Sequence, residues 1–264
     1  MKVKIGLVVD IGVVSDHNDD RILAGKCIYN NEEAMIEENI PCLVAVCDGV
    51  GGYGGGGIAA ELALKELQNY SPDELEKLSN LETAFKNIEL SITKKQVENN
   101  EYSSMCTTIA GMIFGKDKIT LFHSGDSRIY HYDGCFLRQL TRDHSKIQEV
   151  VDSGIFSKKE ADKLINRSLI TRCLGQNAGT IPEIQVDNIT LQENEFYLLC
   201  TDGLWDVMER SRIKEVLDND RSLLDKAKIL VNMAKSYGSE DNISVCICGL
   251  SDIINSEEDN TFFF

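Results

Sequence analysis

Five aspartates stand at the ends of apolar, strand-like runs. Asp48 follows "LVAVC", Asp126 follows "LFHSG" and Asp202 follows "FYLLCT". Asp241, with Asn242 beside it, precedes "ISVCICGL", and Asp20 precedes "RILAGKCIY". A single Asp-Gly after a strand is ordinarily a turn, because both residues suit turn geometry. Five acids placed this way, spread over nearly the whole chain, suggest more. If neighbouring strands run antiparallel, the start of one shares an edge with the end of the next, and the five meet on one rim. Clustered carboxylates resist ionising together unless a cation joins them. Oxygen donors without a nearby Cys or His favour Mg²⁺, Mn²⁺ or Ca²⁺ over zinc.

A second chemistry competes at Asp48. Seven glycines follow it within Gly49–Gly57, and a helical pattern comes next. Such a turn can cradle phosphate on its amides, and Gly49-x-Gly51-x-x-Gly54 formally matches the dinucleotide fingerprint. The match is poor, because no second strand ending in an acid follows the helix and Asp48 would repel a pyrophosphate. A P-loop is excluded, since no Lys-Ser/Thr follows the glycines. "DHNDDR" fails as a calcium loop, with Arg21 where glycine belongs and Cys27 where glutamate belongs. No H-E-x-x-H or G-x-S-x-G occurs. His17, His123, His131 and His144 read as surface or packing residues.

The elements that must position these groups follow from periodicity. Strands are predicted over 3–10, 20–29, 42–47, 195–200 and 243–250, and helices over 58–68, 82–97, 211–217 and 222–236. Ser71-Pro72 with Glu74 marks a helix start. From residue 105, "MCTTIAGMIFG", "KITLFHSGD", "SRIYHYDG" and "CFLRQLT" are separated by turn residues at hairpin distances, an antiparallel meander. Residues 145–166 read as polar helix. Strands and helices come in blocks, which favours α+β over a repeating βαβ array.

The 264-residue chain is long enough to bury a sizeable core. Its net charge of −16, with Lys and Arg unclustered, argues against nucleic acid and anionic membrane as partners. No apolar run approaches the ~20 residues of a membrane span. "MKVKIGLVVDIG" reads as a first strand in preference to a signal peptide, because Gly6 and Asp10 break the run. Nine cysteines with no C-x-x-C, several inside apolar runs, suggest reduced buried thiols and a cytoplasmic protein.

The order of "DIGVVSDHNDDR", "VCDGVGGYGGGGIAA", "MCTTIAGM", "HSGDSRIY", "LTRDHS", "RCLG", "LLCTDGLWDVM" and "SEDNISV" resembles that of PPM-type (type 2C) metal-dependent protein serine/threonine phosphatases. The resemblance runs from Asp10 to about Val245. It implies an α+β fold: an antiparallel β-sandwich flanked by helices on both faces, in four α-β-β-α layers. It implies one phosphatase domain over 1–252, with 253–264 as an acidic and aromatic tail. It implies two Mn²⁺ or Mg²⁺ ions held by Asp48, the Gly49 carbonyl, Asp202 and Asp241. Asp20, with Asp19 beside it, falls on the family's acidic pair, and Asp126 falls on a third-metal position shared with Asp202. A water shared by the metals would then hydrolyse phosphoserine or phosphothreonine in protein substrates. A cognate serine/threonine kinase system and a monomeric state are expected alongside.

Two departures from the family pattern matter. Ser15 stands where an arginine for substrate phosphate is usual, leaving Arg21 as the nearby candidate cation. Val50 stands where some relatives have a histidine proposed as general acid. A catalytically weak phosphatase-like binding module is therefore the alternative, and a nucleotide-binding enzyme a third. The segment from Lys146 to Arg167, carrying Lys158 and Lys159, is expected to contribute to substrate choice.

Overall fold

The structure is a computed structural model and describes residues 1–166, 169–176, 181–187 and 195–250. In chain order its first half contains β1 (Lys2–Asp10), β2 (Arg21–Ala24), β3 (Cys27–Tyr29), β4 (Glu33–Asn39), β5 (Cys42–Cys47), β6 (Gly49–Val50), α1 (Gly55–Gln68), α2 (Pro72–Leu75) and α3 (Leu78–Glu98). The second half contains β7 (Cys106–Thr107), β8 (Ile109–Phe114), β9 (Ile119–Ser124), β10 (Arg128–Tyr132), β11 (Leu137–Gln139), α4 (Lys146–Asp152), α5 (Lys158–Leu164), β12 (Glu183–Asp187), β13 (Phe196–Cys200), α6 (Asp202–Trp205), α7 (Arg210–Leu217), α8 (Leu223–Ser236) and β14 (Ile243–Leu250).

Two six-stranded antiparallel sheets form, in the orders β11-β10-β13-β14-β1-β4 and β12-β9-β8-β5-β2-β3. Their strands carry apolar side chains on both faces, so alternation separates two sets of contacts. In β5, Cys42, Val44 and Val46 point to the opposite sheet, where they meet Ile5 and Leu7 of β1 and Cys246 and Cys248 of β14. Leu43, Ala45 and Cys47 point outward and pack under Ala60, Leu64 and Leu67 of α1 and Phe85 and Ile88 of α3. On the other sheet, Val245 and Ile247 of β14 pack outward against Ala227, Leu230 and Ala234 of α8. The three clusters are the three interlayer cores of the α-β-β-α sandwich that the sequence predicts. A strand buried on both faces reads as a continuous apolar run, which is why 42–47 shows no alternation.

Local chemistry starts the helices where the sequence places them. Ser71 accepts from the Glu74 amide while the Glu74 carboxylate accepts from the Ser71 amide, a reciprocal cap with Pro72 in the first turn. Ser222 caps α8 through the Asp225 amide. The structure corrects two expectations. The predicted strand 20–29 is a hairpin of β2 and β3, because Gly25 takes a left-handed turn with φ of 60°. The segment 33–39, unassigned from its acid-rich sequence, is β4, an edge strand beside β1. Arg167 and the tail 253–264 lie outside the described residues.

Candidate metal centre and active site

Strand register brings the five aspartates together. Arg21 pairs with Cys47, which sets Asp20 beside Asp48 at the edge of one sheet. Ile109 pairs with Ser124, so Asp126 emerges at that same edge, next to Thr108. On the facing sheet Cys200 pairs with Val245, which sets Asp202 near Asp241 and Asn242. Both sheets thus deliver acids to one end of the sandwich. There Asp48, Asp126, Asp202 and Asp241, with Gly49, line a cleft of about 260 Å³. Asp20 lies behind them and is 1% exposed.

A polar framework fixes Asp48, Asp20 and the loop that carries Asp19. The Asp48 amide donates to Thr108 Oγ1 at 3.0 Å, and its carbonyl accepts from the Thr108 amide and the Thr107 hydroxyl at 2.8 and 2.9 Å. Thr201 Oγ1 donates to Asp20 Oδ2 at 2.8 Å and accepts from the Ser244 amide at 3.0 Å. Asn242 Oδ1 accepts from the Asp19 amide at 2.8 Å, and its Nδ2 donates to the Ile11 and His17 carbonyls at 2.9 and 3.2 Å. Thr107, Thr108 and Thr201 carry no signal of this role in the sequence, since their partners lie far along the chain.

The glycine loop uses an amide on a carboxylate of its own chain. The Gly57 amide, in the first turn of α1, donates to Asp19 Oδ1 at 2.8 Å. No side chain caps that helix locally, so the remote Asp19 supplies the anion that its N-terminus favours. The loop must also pass close to itself. A Cβ on Gly49 would lie 2.2 Å from the Gly56 carbonyl group, and one on Gly56 would lie 2.3 Å from the Gly49 oxygen.

The electrostatics of the rim are unfavourable without a cation. Burial raises the Asp48 carboxyl well above its ordinary range, and the charges of Asp202, Asp20, Asp126 and Asp241 raise it further. Asp202 is raised in the same way, by burial and then by Asp126, Asp241 and Asp20. Burial pushes Asp20 up to about 7 despite its bond from Thr201, and pushes Asp126 up to about 7 with help from Asp143. Asp202 Oδ1 is buried with no hydrogen-bond partner among the described residues. Oxygen-only donors that crowd at one cleft, repel one another and leave a buried acceptor unused among the described residues fit hard divalent cations such as Mn²⁺ or Mg²⁺.

The two expected substrate-phosphate residues part company. Ser15 lines the cleft. Arg21 does not, because it is buried and its Nη1 donates to the Asn18 and Asp20 carbonyls at 2.7 Å each. It stiffens the loop that carries Asp19 and Asp20. His17, which the sequence reads as an ordinary surface residue, lines the cleft and sits 3.3 Å from Asp19 Oδ2. Val50 lines it too and offers no side-chain proton.

A second cluster of ligand-type residues is spoken for. His123 and His144 stack at 4.7 Å, and Glu183 Oε1 lies 3.1 Å from His144 Nε2. Arg172 Nη1 already donates to that carboxylate oxygen at 2.9 Å. His144 Nδ1 accepts from the Gly125 amide at 3.1 Å, which puts the ring proton on Nε2 and removes that nitrogen as a ligand. This group braces the turn ahead of Asp126.

Comparison with known proteins agrees with this geometry. A sequence model of the family "Protein phosphatase 2C" matches residues 14–243. The chain is 31% identical over 247 residues to a serine/threonine phosphatase, stp, of Listeria welshimeri, covering 90% of this chain and 92% of that one. It superposes on the serine/threonine phosphatase of S. agalactiae with a TM-score of 0.82 at 27% identity, covering 94% of this chain and all of the other. It superposes on the catalytic domain of the phosphatase PstP in complex with two manganese ions with a TM-score of 0.78 at 27% identity, covering 96% of this chain and all of the other.

Proposed function

The chain belongs to the protein phosphatase 2C family, and from that premise we propose which residues carry its reaction, the metal-dependent hydrolysis of phosphoserine and phosphothreonine in proteins. The observation that carries the reading is the set of mutually repelling acids at the cleft floor, with Asp202 Oδ1 unpartnered among the described residues. Asp48, the Gly49 carbonyl, Asp202 and Asp241 are the residues that hold two Mn²⁺ or Mg²⁺ ions, with Asp20 in support and Asp126 with Asp202 offering a third position. When bound, such ions activate water as a nucleophile near neutral pH and neutralise phosphoryl oxygens.

The protein's own part is placement. Thr107 and Thr108 hold the Asp48 backbone, which fixes where its carboxylate and the next carbonyl point. Thr201 orients Asp20, and Asn242 ties the Asp19 loop to the start of β14. Ser15 and His17 are the hydroxyl and ring N–H donors on the cleft wall for a substrate phosphate. No Lys or Arg lines this cleft among the described residues, so phosphate charge falls mainly to the cations. Arg21 acts as a positioning residue.

Residues 1–252 form the phosphatase domain in this reading, with 253–264 appended. Its substrates are products of a serine/threonine kinase, because only such an enzyme makes the esters it cleaves. Nine free cysteines, seven of them buried, support a reducing, cytoplasmic setting. A net charge of −16 favours a monomer. No helix among the described residues is long and apolar enough to cross a membrane. The test is phosphate release from a phosphothreonine peptide with Mn²⁺, with Mg²⁺ and with EDTA. Release with the metals and none with EDTA is expected; release that persists in EDTA would overturn the assignment.

A further inference from the structure

Hydrolysis of a phosphate ester ends on a proton. When the ester P–O bond breaks, its electron pair stays on the serine or threonine oxygen, and an alkoxide leaves poorly until it is protonated. Few of the described side chains that line the cleft can supply that proton. The rim acids are taken up by the cations they hold. Thr108 Oγ1 is engaged by the Asp48 amide and by Ser127 Oγ, at 3.0 and 2.7 Å. Val50 is apolar, Asn242 is an amide, and the Ser15 hydroxyl is too weak an acid. Imidazole is the side chain suited to passing a proton near neutral pH, and His17 is on the cleft wall. We propose that His17, oriented by Asp19, is the general acid that protonates the leaving oxygen. The inference rests on the phosphatase reading of the cleft.

The surroundings of His17 are those of a working proton donor. Its Nε2 lies 3.3 Å from Asp19 Oδ2, which leaves Nδ1 to serve the substrate. Asp19 is itself held in place. Its Oδ1 accepts from the Gly57 amide at 2.8 Å, and its own amide donates to Asn242 Oδ1 at 2.8 Å. Asn242 Nδ2 donates to the His17 carbonyl at 3.2 Å. One asparagine, adjacent to Asp241 in the chain, thus ties both members of the His17–Asp19 pair to the metal rim. The His17 side chain is 58% exposed, so solvent can return its proton after each turnover. The step balances. The attacking water forms the new P–O bond and releases one proton to solvent. The ester P–O bond breaks, its electron pair goes to the leaving oxygen, and that oxygen takes the proton from His17 Nδ1. The products are phosphate and a free serine or threonine hydroxyl.

The experiment compares leaving groups in the wild type, H17N and H17Q with Mn²⁺ present. Asn and Gln still donate hydrogen bonds but pass on no proton. Alkoxide from a phosphothreonine peptide needs protonation, phenolate from phenyl phosphate needs it less, and para-nitrophenolate is a stable anion. Both variants are expected to lower kcat for the peptide about a hundredfold, with the fall for para-nitrophenyl phosphate at least about tenfold smaller and phenyl phosphate between them. The contrast is read within one preparation, so a change in the folded fraction cancels. Mn²⁺ affinity by calorimetry is expected to match the wild type, because His17 gives no ligand. Equal falls on all three substrates would make His17 a binding or structural residue and overturn the proposal, as would no fall on the peptide. Mn²⁺ binding weakened by about tenfold or more in the variants would place His17 in support of the metals and also overturn it. A wild type that releases no phosphate from any of the three substrates overturns the phosphatase reading, and this proposal with it.

Discussion

Asp126 and Arg128 stand two residues apart and both are buried, at 3% and 6% exposure, but the fold treats their charges in opposite ways. Arg128 meets a full set of partners. Its Nε and Nη2 donate to the two Asp143 oxygens at 2.9 and 2.5 Å, its Nη1 donates to the Tyr130 hydroxyl at 3.0 Å, and Trp205 lies 3.5 Å away. Asp126 meets burial and more negative charge, which push it up to about 7. Two residues further on, a charge is paired for structure; at the rim, like charges are gathered against their own repulsion. The difference teaches that the rim is organised for a guest cation, because the same segment shows what a buried charge looks like when the protein satisfies it alone.

The largest expected effect is on activity. Asp202→Ala should cut metal-dependent phosphate release by about a thousandfold or more, as expected when a catalytic cation loses a carboxylate. Asp202→Asn should meanwhile raise the Tm of the metal-free protein, since it relieves repulsion that the native rim tolerates for function. A thermal scan in EDTA checks this, and a lower Tm would break the comparison. Arg128→Ala should do the reverse. It strips the buried Asp143 carboxylate of its cation and leaves the Gln139 amide as its donor, at a cost of about 3–5 kcal/mol in denaturant unfolding. A small loss there would mean that the Arg128 pair is no more structural than the rim.

pH sharpens the contrast. Without metal, the folded pKa values of Asp20 and Asp126 lie near 7, above the ordinary value of 3.8. The folded state then binds more protons than the unfolded state between about pH 4 and 7, so metal-free stability should fall as pH rises through that window. Saturating Mn²⁺ binds the ionised acids and should raise stability by about 2.7 kcal/mol at a hundred times its Kd, most clearly at the upper end of the window. Parallel thermal scans with EDTA and with Mn²⁺ from pH 5 to 8 measure both slopes. The smallest effect is expected from Ser15→Arg, which places a fixed cation on the cleft wall. It should lower KM for a small phosphate ester about three- to tenfold; an unchanged KM would mean the cations already carry the phosphate.

Much of the rim was legible because it rests on local pattern. Apolar runs ending at Cys47, Ser124 and Cys200 and beginning at Ile243 mark strands, and the acids follow from their ends. The strand 20–29 was misread because a left-handed glycine hides within an otherwise apolar run, and β4 was missed because an edge strand needs no apolar alternation. Arg21 stays off the cleft wall for another reason. Its neighbours in sequence are acids, but its guanidinium turns away from the cleft to the carbonyls of its own loop.

The sequence by itself determined the strand ends, the helix starts at Ser71 and Ser222, and the acid types that make the rim. These depend on two-residue alternation, turn chemistry and capping, which act over a few residues. Only the tertiary structure decided that Thr201 would orient Asp20, that Asn242 would hold Asp19, and that the glycine loop would spend its Gly57 amide on Asp19. These pairs lie 181, 223 and 38 residues apart. Contacts of that range exist only after the sheets have closed on each other, and nothing in the local sequence of either partner encodes the other.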